Sequence, residues 1–344
     1  MPNGRPAPQV LNDFVPLTAC AGLRTGGSVG SMRIFFVSDL HGSEVCFRKF
    51  INGGKHYQAD IIISGGDVTG KMIVPVIDNE NGTLEVTYLG STVLLKSDDE
   101  ASEFMRNIRN AGFYPVRFTR EEIAALSGDQ IEELFTQEMK RVITDWLSLA
   151  EERLKGTGIR CFMMPGNDDR MDIDALLSSS DYVINADGQV IDIGPLELIS
   201  TGWANMTPWK CPRDVEEDVL ECKLQAIIRQ ARDPHKCIFN FHVPPYDSLL
   251  DTAPLLDETL QPQLEAGGGP KMVPVGSTAV RKAIETYQPV LGLHGHIHES
   301  RGIMKLGKTV CINPGSEYQV GVLRGAVIVI SDKGAIVDRA LTTG

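Results

Sequence analysis

Three features of this 344-residue chain predict an α/β fold. Five short apolar runs of β type each stop at a Gly- or Pro-containing turn that carries Asp, Asn or His. Amphipathic helical stretches lie between several of them. The composition, 42% hydrophobic, 23% charged and 6% aromatic, is that of an ordinary globular protein.

Residues 1–31 are rich in Pro, Gly and Asn without periodicity, and a flexible tail is expected there. Leu17-Thr18-Ala19-Cys20 has the look of a lipoprotein cleavage box, but no apolar h-region precedes it. MRIFFVSDLHG (32–42) is the first apolar run, and ADIIISGGDVTG (59–70) repeats its design. Residues 71–96 read as three short strands separated by DNENG and Gly90, a small inserted β-meander. It is expected to decorate the sheet edge, with a cap over the site as the alternative. Residues 98–111 and 119–155 carry helical spacing, as at Ile131, Leu134, Met139, Val142 and Trp146.

IRCFMMPGNDD (159–169) is the third run, KCIFNFHVPP (236–245) the fourth and PVLGLHGHIH (289–298) the fifth. Helices are predicted over 215–231 and over 277–287, the latter from Ser277. Residues 244–276 read as a long loop, expected to form a mouth or lid because it follows His242. The end of the chain reads as a strand, a Pro-Gly turn and a closing hairpin. The expected organisation is a tail over 1–31 and a single domain over 32–342, with an insertion over about 71–155.

Net charge is −12, from 45 acidic and 33 basic residues, which argues against tracking nucleic-acid backbone or an anionic membrane. No uninterrupted apolar run approaches membrane-spanning length. The seven cysteines are scattered and lack a CxxC spacing, which points to a reduced, cytoplasmic setting.

Taken singly, Asp39-x-His41, Gly66-Asp67 and His296-x-His298 are weak signals, since surface loops carry such triplets. Taken together, four of the seven histidines fall at strand ends beside two aspartates and an asparagine. Ligands gather at the carboxyl ends of strands in open α/β sheets. Asp39, His41, Asp67, Asn167, His242, His296 and His298 make seven candidate donors, whereas one catalytic ion needs only about three or four from the protein. Seven suit two ions that share a bridging carboxylate, about 3.5–4 Å apart, an arrangement used for phosphoester hydrolysis.

These motifs, in this order, resemble the calcineurin-like metallophosphoesterases: Asp39-x-His41, Gly66-Asp67, Gly166-Asn167-Asp168-Asp169, His242 and Gly295-His296-x-His298. HVPPYDSLLD, the stretch ending in GLHGHIHESRG, and INPGS look like the Icc-related bacterial and archaeal branch. The resemblance implies a four-layer α-β-β-α sandwich of two mixed sheets. It implies that Asp39, His41, Asp67 and His298 hold one ion, and that Asp67, Asn167, His242 and His296 hold the other. The chain departs from the pattern at Asp168, where the family's histidine is implied to stabilise charge or protonate the leaving oxygen. Three roles for Asp168 stand open: a protonated general acid, a group orienting water or substrate, or a catalytically idle side chain.

The expected activity is metal-dependent hydrolysis of a small phosphoester, a cyclic nucleotide being one candidate, with Asp67, Asn167, Asp168 and His242 as the catalytic set. A hydroxide shared by the two ions would attack phosphorus in line with the departing oxygen. The mixed N/O donors suit Mn, Fe, Zn, Ni or Co rather than Mg or Ca. Two alternatives are a metal-binding scaffold with decayed chemistry and, disfavoured by the acidic charge, a nuclease. Asp169 and Glu299 are candidates to orient the imidazoles, with a solvated loop acid as the plainer alternative. His294 reads as an orienting or simple strand-end histidine, and His56 and His235 as surface residues. Lys271 and Arg301 read as solvated charges, and Trp203 and Trp209 as packing residues.

Overall fold

The computed structural model describes residues 30–79 and 81–344; residues 1–29, which hold Cys20 and nearly all of the expected tail, lie outside them. Two six-stranded mixed sheets form the centre. In the first, Met32–Val37, Ile61–Ser64, Arg160–Met163 and Val183–Asn185 run parallel, and Arg324–Ile330 with Ile336–Thr343 closes one side antiparallel. In the second, Glu197–Thr201, Cys237–Phe241, Leu291–Leu293 and Thr309–Asn313 run parallel, and Val190–Asp192 and Gly302–Leu306 form antiparallel edges.

Side-chain alternation along each strand explains the layering. Ile34, Phe36, Ile61, Ile63 and Phe162 point between the sheets and meet Leu198, Ile238, Leu291, Leu293, Val310 and Ile312. Their neighbours Phe35, Val37, Ile62, Cys161 and Met163 point outward against Phe47, Phe50, Met139 and Trp146 of helices Glu44–His56 and Gly128–Leu154. On the far side Ile199, Phe239, Phe241 and Cys311 pack on helices Glu217–Ile228 and Thr278–Tyr287. Both faces of each sheet are therefore buried, and the strands read as continuous apolar runs rather than alternating ones. The four α-β-β-α layers agree with the expectation.

Several local expectations need correction. The stretch 119–155 is not one helix. Thr119 caps Arg120–Ala125 and Ser127 caps Gly128–Leu154, each through a reciprocal capping box with Glu122 and Gln130. Residues 244–276 are not structureless: Thr252–Pro254 pairs antiparallel with Met272–Pro274. Asp251 fastens the base of this ribbon by accepting the N–H groups of Asp247, Ser248 and Gly276. The helix Glu44–His56, capped by Ser43, was not anticipated.

The inserted meander is present as Ile73–Asp78, Leu84–Tyr88 and Ser91–Leu95. A fourth strand, Tyr114–Thr119, joins it parallel to the first after helix Asp98–Asn110. Pro115 obscured that strand in the sequence, and it is tolerated because the strand lies at the sheet edge. The root of the insertion is tied to the core, where Gly70 N–H donates to the Tyr114 hydroxyl at 2.7 Å. No helix among the described residues is long and apolar enough to cross a membrane.

Phe47 and Trp146 stack with ring centroids 4.1 Å apart and planes 7° from parallel, and they join the two helices over the first sheet. Trp146→Ala is expected to destabilise the protein by about 3 kcal/mol, read as a lower urea midpoint with an unchanged slope.

Candidate metal centre

The parallel strands of both sheets end at the same side of the molecule, so the five motifs converge. Asp39 and His41 follow Val37, Asp67 follows Ser64, Asn167 follows Met163, His242 follows Phe241, and His296 and His298 follow Leu293. Four of these residues turn sharply out of their strands with positive φ: Asp39 at 56°, His41 at 42°, Asp67 at 51° and His296 at 66°. Left-handed backbone is easier for Asp and His than for branched residues, yet each instance still costs on the order of 1 kcal/mol. Gly166 permits the close approach behind Asp67, because a Cβ there would collide with the Asp67 carboxylate.

The donor atoms form a connected set. His41 Nε2 stands 3.1 Å from His298 Nε2 and 3.5 Å from Asp67 Oδ2. His298 Nε2 stands 3.5 Å from Asp39 Oδ1. Across the cleft, His242 Nε2 is 3.4 Å from the same Asp67 Oδ2. His296 Nδ1 lies 2.9 Å from Asn167 Oδ1, and ligand atoms of Asp67, His242 and His296 fall within 4.8 Å of one another. Donors about 2.1 Å from one ion, at tetrahedral or octahedral angles, stand about 3.0–3.4 Å from each other. The spacings found here lie close to that range.

The charges tell the same story. Burial works against ionising Asp39, but His298 and His242 overcome it and bring its pKa down to about 2. Burial likewise opposes the His242 imidazolium, but Asp67 and Asp39 outweigh it and lift the pKa to about 9. Burial holds His41 well below its usual range, and burial with the His242 charge lowers His296 to about 4. Two buried carboxylates thus demand positive charge, and in the protein alone a proton on His242 supplies part of it. A divalent cation would displace that proton. The buried His242 Nε2 makes no hydrogen bond, so this atom is open to a metal once its proton is displaced. The residues present fit a metal site.

Groups behind the donors fix their orientation. His242 Nδ1 is bound to Gly65 O at 2.8 Å, which leaves Nε2 facing the cleft. Asn167 Nδ2 donates to Asp214 Oδ1 at 2.8 Å and so turns its oxygen toward His296. Asp214 also accepts from Thr207 and Cys211, which holds it in place. Asn313, within the INPGS stretch, donates to the carbonyls of Leu250, Gly295 and Ile297 and staples the His296-x-His298 turn. Ser316 Oγ donates to Asp39 O.

Asp169 is no solvated loop acid. It is fully buried and accepts Val68 N, Thr69 N and Gly166 N at 2.8 Å, and the Thr69 hydroxyl at 2.6 Å. It joins two ligand-bearing loops rather than orienting an imidazole. Burial and the Asp67 charge push its pKa up to about 6 against those donors. Arg213, also fully buried, donates to the carbonyls of Asp169 and Arg170 and to Asp174 Oδ1. Neither Arg213 nor Asp214 was singled out in the sequence, because Arg213 lies in a loop, Asp214 opens a two-residue strand without an apolar pattern, and both act on partners far along the chain.

Asp168 stands at the rim. Its N–H donates to Asp67 Oδ1 at 3.1 Å, its carboxylate pairs with Lys71, and Oδ2 lies 3.9 Å from His41 Nδ1. His294 is a buried strand-end histidine whose Nδ1 is bound to Phe241 O, and burial lowers it to about 4. His56, His235, Lys271, Glu299 and Arg301 are exposed. Trp203 packs on the second sheet's helix layer under Lys223, whereas Trp209 is exposed.

At pH 8, Asp169→Asn puts a donor where four donors converge. It is expected to cost about 2 kcal/mol of stability and to lower metal occupancy, read by urea unfolding and elemental analysis.

No family model matches the chain. An uncharacterised protein of Methanocaldococcus jannaschii is 28% identical over 172 residues, which cover 49% of this chain and 70% of that protein. Among solved structures, a Thermus thermophilus protein is similar at TM-score 0.48 and 16% identity, over 91% of this chain and 98% of that one. An archaeal phosphodiesterase is similar at TM-score 0.30 and 13% identity, over 91% and 100%. A 5'-nucleotidase precursor, also from Thermus thermophilus, is similar at TM-score 0.40 and 10% identity, over 91% and 54%. The convergence of all five ordered motifs on one cleft, between two mixed sheets, is the arrangement that the resemblance to calcineurin-like metallophosphoesterases implies.

Proposed function

We propose that residues 32–342 form one catalytic domain that hydrolyses a small phosphoester with two divalent metal ions. The observation that carries this reading is Asp67 Oδ2, which stands 3.5 Å from His41 Nε2 on one side and 3.4 Å from His242 Nε2 on the other. One carboxylate oxygen so placed would serve both ions. Asp39, His41 and His298 would complete one shell, and Asn167, His242 and His296 the other.

When bound, the ions supply Lewis acidity: they acidify water and neutralise charge on phosphoryl oxygens. The chain's own groups do the rest. Asn167 brings an uncharged oxygen, so this shell gains a donor without another negative charge beside the phosphate. The Asp214 contact keeps that oxygen, and not the amide nitrogen, toward the cleft. The Gly65 carbonyl holds the His242 tautomer. The N/O donor mixture favours Mn, Fe, Zn, Ni or Co. A cyclic nucleotide is the narrower candidate within the small-phosphoester class. Six free cysteines among the described residues support a reducing, cytoplasmic setting.

Purified protein loaded with Mn, Co or Ni is expected to hydrolyse bis-p-nitrophenyl phosphate or p-nitrophenyl phosphate and to lose the activity with chelator. Asp67→Asn is expected to lower kcat by about a thousandfold or more, with metal content below two ions per chain. Undiminished hydrolysis by that variant would refute the proposal.

A further inference from the structure

Lys71 opens the insertion directly after Gly70, and its backbone N–H is bound to Gly112 O at 3.1 Å. Its ammonium pairs with Asp168 Oδ2, and both side chains remain 34% exposed. The pair therefore lines the open wall of the cleft rather than the core. It is also close to the donors: ligand atoms of His41, Asp67 and Asp168 lie within 4.8 Å of one another. Burial opposes the ammonium, but Asp67 and Asp168 outweigh it and raise its pKa above the usual lysine range.

An ammonium carries three N–H donors. The Asp168 contact engages one and leaves others for a ligand in the cleft. A carboxylate alone at position 168 would repel a phosphoryl group, and Lys71 cancels that field. We propose that Lys71 is a catalytic residue that binds the phosphoryl oxygens of the substrate, and that Asp168 is the residue that positions it. The two together do what the resemblance assigns to a histidine at position 168. This rests on the phosphoester hydrolase reading and adds a specific cation from the insertion to it. It also gives the insertion a part in the site, because its first residue supplies the charge.

The test compares wild type with Lys71→Met, Lys71→Gln, Lys71→Arg and Asp168→Asn. Elemental analysis reads bound metal, calorimetry reads inorganic phosphate binding to metal-loaded protein, and bis-p-nitrophenyl phosphate gives kcat and KM. Thermal melting confirms folding, and the Gln variant stands in if the Met variant fails to fold. Lys71→Met is expected to keep wild-type metal content, to bind phosphate about tenfold more weakly and to lose about a hundredfold in kcat/KM. Lys71→Arg is expected to recover most of the phosphate affinity, because the charge is kept. Asp168→Asn is expected to keep both metals and to lose more in kcat than in phosphate affinity, because the ammonium is present but no longer held.

Phosphate binding and kcat/KM at wild-type levels in Lys71→Met would overturn the role of Lys71. Loss of one metal equivalent in Asp168→Asn would make Asp168 a ligand and overturn its positioning role. Wild-type protein that takes up metal but hydrolyses neither ester would instead remove the hydrolase reading. The phosphate measurement still decides for Lys71 in that case, and wild type that binds no phosphate overturns it.

Discussion

The buried carboxylate of Asp67, flanked by His41 and His242, is the constraint on which the rest of the site depends. A buried anion is costly unless positive charge lies against it. Asp39 and Asp67 place two such anions 1% and 4% exposed between the ends of two sheets. His242, His41 and His298 surround them, yet imidazoles are half-measures: burial lowers His41 while the carboxylates raise His242. Proton and histidine can balance the cleft only in part. The geometry makes sense as a container for cations, and the four-layer fold makes sense as the means of holding two rows of strand ends face to face.

Holding those donors requires strain, and the strain is offset by a polar frame behind the cleft. Asp39, His41, Asp67 and His296 all adopt positive φ, which solvated loops would relax. Asp169 joins the loop after Ser64 to the loop after Met163 through three hydrogen bonds and closes its own turn by accepting Gly166 N. Asn313 does the same for the His296-x-His298 turn with three. Arg213 and Asp214 come from one loop and reach opposite sides of the Asn167 turn. Each of these groups is satisfied by several partners, so removing one would loosen the candidate ligands it holds in place. Rigid positioning of the donors is what this network contributes.

The sequence was most legible where burial was most complete. Strands covered on both faces appear as apolar runs, and a polar residue at the end of such a run has no reason to be there unless the end is used. Asp39, Asp67, Asn167, His242 and the His296-x-His298 pair all stood out on that ground. Much of the frame did not, because Arg213 and Lys71 lie in loops, Asp214 lies in a two-residue strand, and all three meet partners far along the chain. Helix boundaries were legible only through their caps: Ser127 and Gln130 mark a restart that the apolar spacing alone runs through. The strand 114–119 was hidden by Pro115, which cannot donate to a ladder and is accommodated here in an edge strand. The ribbon over 252–274 was hidden because isolated short pairings carry no apolar pattern.

Charge balance also constrains how such a cleft handles its substrate. The chain carries a net charge of −12, and the cleft adds Asp39, Asp67, Asp168, Asp169 and Asp214 within a small volume. A phosphoester approaching that surface without cations meets repulsion at every scale. On the proposed function, substrate affinity would be conferred locally, by bound metals and by the ammonium of Lys71, and not by the protein's overall field. Metal loading and substrate binding would then be linked: a metal-free chain would lack both the chemistry and much of the attraction. The insertion enters this balance because its first residue brings a cation that the strand-end motifs do not provide.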